Sequence, residues 1–460
     1  MSDRTTPPYL TTLAQFAANT QLNAISAAAR ERARWIIADC IPVIAAGMQQ
    51  PEMQKYVACH LAGAAPGEAW VIGAGKRARA IDAALLNGTA GTWLELDEGN
   101  LFAKGHPGIQ VVPAAVALAQ ELGCSGAEVL RAVALGYELS ARISRAAQMR
   151  LIFHPHGTYG VIGTAIAAGV LKRFNAAQML ELINCASTMG MASSRQTLLD
   201  GATVRNIFTG HSGFMGLTAA RLVECGFTGE IDSVGTVYGR GMYSDTFDPA
   251  LAVAGLGEEW LIAKSYFKLH PIGRYAHSAI DALEDLLADV LTNAHGGKLA
   301  VNDIERIDVA AYMLAASLNG KNIVSSFGAR FSVPFALASI LYHGRSGLKS
   351  FDDAAVANPA VQALVQRVFV REEAAYTARY PKEQPVNVRI TLKNGAVHEG
   401  NCTVTKGEPA NPHTPADLKG KFFELGEPIW SKPVTQQLFE RLMKIEDISD
   451  FRALAREMLL

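Results

Sequence analysis

The sequence predicts a mainly α protein: a large all-helical domain built from both chain ends, with a smaller α+β domain inserted between its two parts. Three observations predict it. From the N-terminus to about residue 265, apolar positions recur at helical spacing. After that point alternating runs appear, two of them joined by Asn394-Gly395, the strongest short hairpin signal a sequence offers. The stretch beyond about residue 410 returns to amphipathic helix. The expected boundaries are 1–265 and 410–460 for the helical domain and 266–409 for the insert.

The elements follow in order. "LNAISAAARERARWIIADCIPVIAAGM", "AIDAALLNGTAGTWLEL" and "GIQVVPAAVALAQELG" each carry the helical period. "SGAEVLRAVALGYELSARISRA" opens with Ser125 three residues before Glu128, a capping-box pattern. "YGVIGTAIAAGVLKRFN" and "AAQMLELINCASTMGMASS" are rich in Ala, Gly and Ser, so their helices can pack closely. In the insert, "IERIDVAAYM" and the two arms of "PVNVRITLKNGAVHEGNCTVTK" read as strands, and "RFSVPFALASILYHG" and "DAAVANPAVQALVQRV" as helices. "PVTQQLFERLMKIEDISDFRALAREMLL" closes the chain as amphipathic helix.

The bulk properties exclude several function classes. A chain of 460 residues exceeds what one core usually supports, and 49% hydrophobic against 18% charged residues argues for deep burial. A net charge of −1 without polybasic runs speaks against nucleic acid and membrane surfaces as partners. The opening "MSDRTTPPYL" lacks an apolar leader core, and no run of about 18 apolar residues follows, so a cytoplasmic protein is expected. Cys40, Cys59, Cys124, Cys185, Cys225 and Cys402 form no C-x-x-C pair and read as buried free thiols. No G-x-G-x-x-G following a strand and no Walker loop supports a nucleotide fold.

Four stretches can carry chemistry. "LELDEGNLFAKGHPG" packs Glu95, Asp97 and Glu98 before His106. "FHPHGTYGVIG" holds His154, His156, Thr158 and Tyr159 just before a small-residue helix. "DGATVRNIFTGHSG" holds Arg205 and His211. "SYFKLHPIGRYAHSAID" holds Lys268, His270, Arg274, Tyr275 and His277 at the domain junction. Singly each has an ordinary explanation: histidines near helix starts act as caps, and acidic runs are usually solvated. His154 and His156 with the three carboxylates can be drawn as a metal site. No H-E-x-x-H or similar helical pair supports it, however, and the Arg and Lys of the later stretches suit anions, so no metal is expected.

In this order, the acidic stretch ending in Gly-His-Pro, "FHPHGT", "GATVRNIFTGHSG" and "KLHPIGRYAHSAID" resemble the MmgE/PrpD family over most of the chain. Its members include 2-methylcitrate dehydratase, cis-aconitate decarboxylase and iminodisuccinate epimerase. The resemblance implies a helical domain with a smaller α+β lid, a homodimer, and catalysis by His106, His154, Asp97 and Lys268. Glu95 falls on the family's first acidic position. Gly99 stands where threonine is common, Arg205 where lysine is usual, Phe335 where tyrosine often sits, and His156 where threonine follows the first histidine.

The family's shared step makes or breaks a C–H bond beside a carboxylate. A proton so weakly acidic requires pre-placed positive charge and donors in a water-poor pocket. Arg205, Lys268 and Arg274 can supply the charge, with Glu95, His156 and Tyr159 also expected around the substrate. A histidine can move the proton while Asp97 or Glu95 holds its tautomer. Cysteine spacing for an iron–sulfur centre is missing, so no cofactor is expected. The expected activity is a lyase acting on a small di- or tricarboxylate, dehydration favoured over decarboxylation. The alternatives are an epimerase using the same site and a helical dimer that only binds carboxylates.

Overall fold

The computed structural model describes residues 5–293 and 299–457. The first four and last three residues of the expected helical body lie outside the described residues. The protein is mainly helical with small sheets. Among the described residues no helix is long and apolar enough to cross a membrane.

Local signals set the helix ends. The Ser125 hydroxyl accepts the Glu128 N–H while the Glu128 carboxylate accepts the Ser125 N–H, closing the capping box of Gly126–Ala146. Pro107, whose missing N–H costs nothing in a first turn, opens Pro107–Leu122, and Gly123 ends it at φ 70°. The small-residue helices pack closely, as their composition allows. A Cβ on Gly88 would come within 2.9 Å of the Gly210 Cα, and one on Gly136 within 2.5 Å of the Gly163 carbonyl oxygen. These contacts bring Ala80–Gly91 against Ile207–Glu224 and Gly126–Ala146 against Gly160–Leu171.

Buried apolar side chains fall into two clusters. One runs from Tyr9 to Phe267 and resumes at Phe422–Leu454; the other joins Leu198 to residues between Ile272 and Cys402. The second cluster surrounds a sheet ordered Val368–Glu372, Ile304–Ala311, Val386–Leu392, Val397–Cys402. Its first pair is parallel and the other two antiparallel. Gly395 takes φ 85° in the hairpin turn, a backbone shape open to glycine at little cost. Helix His277–Asn293 packs on the last two strands. From the C-terminal stretch, Lys421 reaches back to Asp39 Oδ1 and the Leu96 carbonyl, each at 2.6 Å.

Several expectations are corrected. The front part is not all-helical: Ala69–Val71 pairs with Lys76–Ala78, and Ala147–Met149 with Ser244–Phe247. Strands of three or four residues are too short to display alternation, and the first pair turns through Gly73 and Gly75 at positive φ. Helix Ala80–Gly91 stops before the acidic stretch. "DAAVANPAVQALVQRV" splits into Asp353–Ala357 and Pro359–Val365, because a residue before proline is driven out of the helical region. The C-terminal helix begins at Pro415, earlier than expected, and breaks at Ser431 (φ 65°) beside Pro433. Cys59 and Cys225 are exposed, not buried.

Candidate active site

The acidic stretch 94–106 leaves helix Ala80–Gly91 as a loop and is pinned at both ends. Gly99 exchanges backbone hydrogen bonds with Tyr266 (3.0 and 2.8 Å), and Asn100 does so with Gly105. The first pairing brings Lys268 beside Asp97, although they lie 171 positions apart. The Asn100 side chain accepts the Phe102 and Ala103 N–H groups and donates to the Leu261 carbonyl, shaping the turn. Glu95 and Lys104 sit at φ 54°, strained for residues with side chains.

Within this frame the charges meet one another. Arg205 Nη1 approaches Glu95 Oε1 at 2.6 Å, a close ion contact without an aligned hydrogen bond. Lys268 Nζ lies 3.3 Å from Asp97 Oδ1 and 3.5 Å from Glu95 Oε2, and all three residues are buried. Burial opposes the Asp97 charge, but Lys268, His106 and Arg205 outweigh it and hold its pKa well below the usual carboxylate range. Glu98 behaves oppositely. Burial and the Asp97 charge push it up to about 8, although Tyr137 and the Gly108 N–H donate to its carboxyl.

The histidines are held differently. His106 Nδ1 lies 2.5 Å from the Glu98 carbonyl and 3.0 Å from Asp97 Oδ2. Two acceptors at one nitrogen place the proton there and leave Nε2 as the working atom. His154 is anchored by Ser193, which accepts its backbone N–H and donates its hydroxyl to the His154 carbonyl. Its Nδ1 accepts the His156 N–H at 3.1 Å, while Arg205 Nε approaches its Nε2 at 3.3 Å. Two donors compete for one lone pair, so protonating the ring is doubly unfavourable. Burial first and Arg205 second lower its pKa well below the ordinary histidine value. His156 lies edge-on to both rings, with centroids 5.0 and 4.4 Å away. Burial, then His154 and Arg205, likewise keep it neutral, and neither of its nitrogens has a hydrogen-bond partner among the described residues.

These groups surround a cavity of about 120 Å³. Of the residues expected from the sequence, Glu95, His106, His154, Arg205 and Arg274 line it, and Asp97, Lys268, His156 and Tyr159 lie behind its wall. Arg274 is already engaged: it donates to Glu408 Oε1 (2.7 Å) and the Lys406 carbonyl, and stacks over Tyr266. His211 faces the Met189 carbonyl and is not part of the lining. Phe335 packs on Phe351 in the second core rather than at the cavity.

Other members of the site carry no local signal. Arg195 and Tyr380 line the cavity beside Tyr275 of the fourth stretch. Gln110 accepts from the Gly157 N–H and Ser212 and donates to the His106 carbonyl, tying three segments together. Buried Arg330 bonds the Leu94 and Pro271 carbonyls, and burial lowers it to about 10. Asp97, His106 and His156 are close enough to share a metal ion. Buried Lys268 already neutralises Asp97, with Arg205 nearby, so this donor set suits an anion better than a cation.

The MmgE/PrpD N-terminal domain matches residues 11–250 and the MmgE/PrpD C-terminal domain residues 270–444. The chain belongs to the MmgE/PrpD family. It is 25% identical over 412 residues to cis-aconitate decarboxylase of Aspergillus terreus, covering 84% of this chain and 82% of that protein. It is 23% identical to the cis-aconitate decarboxylase-like protein oryM of Aspergillus oryzae (strain ATCC 42149 / RIB 40), covering 84% of each. One family departure has a local explanation: a Cβ at Gly99 would come within 2.3 Å of the Tyr266 hydroxyl, so this tyrosine fills the space a threonine would need.

Proposed function

We propose that this MmgE/PrpD protein is a lyase that uses side chains alone to move a proton at a carbon next to a carboxylate of a small di- or tricarboxylate. One observation carries the reading. The pocket holds His106, backed by the Asp97 carboxylate, together with His154, kept neutral against Arg205. On this reading Arg205 turns from Glu95 to the substrate carboxylate and grips it bidentately. That frees His154 from the competing donor and leaves its Nε2–H for the oxygen on which negative charge develops. His106 Nε2 carries the proton, with Asp97 stabilising the imidazolium. Lys268, Glu95, His156 and Tyr159 hold this arrangement in place.

The insert 266–409 serves as a lid over the helical parts 1–265 and 410–460, in line with the two buried clusters, and a homodimer is carried over from the family likeness. Between bond cleavages, the sequence favours dehydration and the names of the relatives favour decarboxylation. The test is incubation with citrate, methylcitrate, cis-aconitate and iminodisuccinate, followed by NMR and CO2 release. Conversion of one tricarboxylate with loss of CO2 or water is the expected outcome. Inversion of iminodisuccinate alone would replace the lyase by an epimerase, and binding without turnover of any compound would overturn both.

A further inference from the structure

The fourth sequence stretch contains a histidine that the catalytic reading leaves unused. His270 follows Lys268 by two positions and points away from the pocket, into a separate groove of about 620 Å³ lined also by Glu284, Lys406, His413 and Lys421. No residue lines both spaces. We propose that His270, Asp281 and Glu284 bind one first-row divalent transition-metal ion, of the zinc class, in this groove.

The geometry supplies the argument. Asp281 and Glu284 stand three apart on helix His277–Asn293 and so share a face. His270 and Asp281 are more than nine-tenths buried. His270 Nε2 and Asp281 Oδ1 face each other at 3.5 Å as a long ion contact, and neither has an aligned hydrogen bond among the described residues. Two buried polar atoms left so are costly unless a third body satisfies both. Their spacing is close to the roughly 3.3 Å edge of a tetrahedron with metal–ligand bonds of about 2.0–2.1 Å. The donor atoms of all three residues lie within 4.8 Å of one another.

The surroundings are those of a ligand set. Asp281 Oδ2 accepts the Lys406 N–H at 2.8 Å, which orients Oδ1 toward His270. Glu284 is paired with Lys406 Nζ at 2.9 Å, and both side chains reach solvent, so the lysine can leave and the carboxylate can turn inward. One imidazole with two carboxylates neutralises a divalent charge, and its nitrogen favours a transition metal over calcium or magnesium. This separates the cluster from Asp97, His106 and His156, where the competing lysine is buried and cannot withdraw. A bound ion would clip the segment entering the insert to the insert's first helix.

The experiment is calorimetric titration of the chelator-treated full chain with Zn2+. One saturable site is expected. His270→Gln and Glu284→Gln should each weaken it by about tenfold or more, the usual worth of a metal-site contact. Lys406→Gln should tighten it about two- to fivefold by removing the competing ammonium, and His156→Thr should leave it unchanged. Glu284 reaches solvent, so its variant should fold even if that of His270 does not. No saturable uptake, or uptake lost in His156→Thr but retained in Glu284→Gln, overturns the proposal.

Discussion

On the pocket wall formed by residues 94–106, 154 and 205, cations and anions hold one another. Arg205 meets Glu95, Lys268 bridges Glu95 and Asp97, and Asp97 supports His106. On the wall formed by Tyr266, Arg274 and Tyr275, Arg274 is spent on Glu408 and the Lys406 carbonyl and lies over Tyr266, with Tyr380 beside it. A substrate carboxylate can replace Glu95 as the partner of Arg205 without exposing a new charge, because Lys268 remains to balance Glu95. Taking Arg274 from Glu408 would strand a buried carboxylate. The first wall can therefore lend charge, while the second supplies shape and excludes water.

The largest test of this difference is on turnover. His106→Asn and His154→Asn should each lower kcat by on the order of 10²–10⁴, the usual worth of a positioned proton carrier. Tyr275→Phe on the other wall should cost less than about tenfold, since it removes no reacting group. Steady-state kinetics on whichever carboxylate is turned over checks both, and equal losses on the two walls would break the comparison.

Lys268→Met comes next. It leaves Asp97 and Glu95 buried without their shared cation and should destabilise the fold by about 3–5 kcal/mol, read from denaturant unfolding. A smaller loss in Arg205→Lys should follow, because lysine keeps the charge but not the fork. A rise in KM or fall in kcat/KM of roughly tenfold to a few hundredfold is expected, equivalent to about 1.5–3 kcal/mol, with the fold retained.

The smallest effect is a pH slope. His154 and His156 are kept neutral by burial, so their pKa values are lower folded than unfolded. Below about pH 6.5 the unfolded chain binds more protons, and stability falls as pH falls. Glu98, pushed up to about 8, acts in the other direction: it stays protonated when folded and ionises when unfolded, so it takes stability away as pH rises from its ordinary 4.5 toward 8. His156→Thr should remove one proton from the acid slope, about 1.4 kcal/mol per pH unit. An unchanged slope in urea melts between pH 5 and 6.5 would show that His156 titrates normally.

Periodicity, capping and turn chemistry act over a few neighbours, and they were legible without coordinates. The Ser125–Glu128 box, the Asn394-Gly395 hairpin and the return to helix after 410 are of this kind. The short front ribbons and the break at Ser431 were not, because three-residue strands and a single left-handed residue leave no repeating pattern.

The sequence by itself determined which residue types were available: three carboxylates before His106, two histidines around Pro155, and Arg205 and Lys268 downstream. Their order also carried the family resemblance. Tertiary structure alone decided which of them touch. Lys268 reaches Asp97 only because Gly99 pairs with Tyr266, and Arg274 is lost to Glu408, 134 positions away. It decided, too, that Arg330 supports Leu94 and that Gln110 ties three segments together. The physical reason is that charge strength depends on burial and on partners brought together across the fold. A chain read residue by residue contains the charges but neither their dielectric surroundings nor their distances.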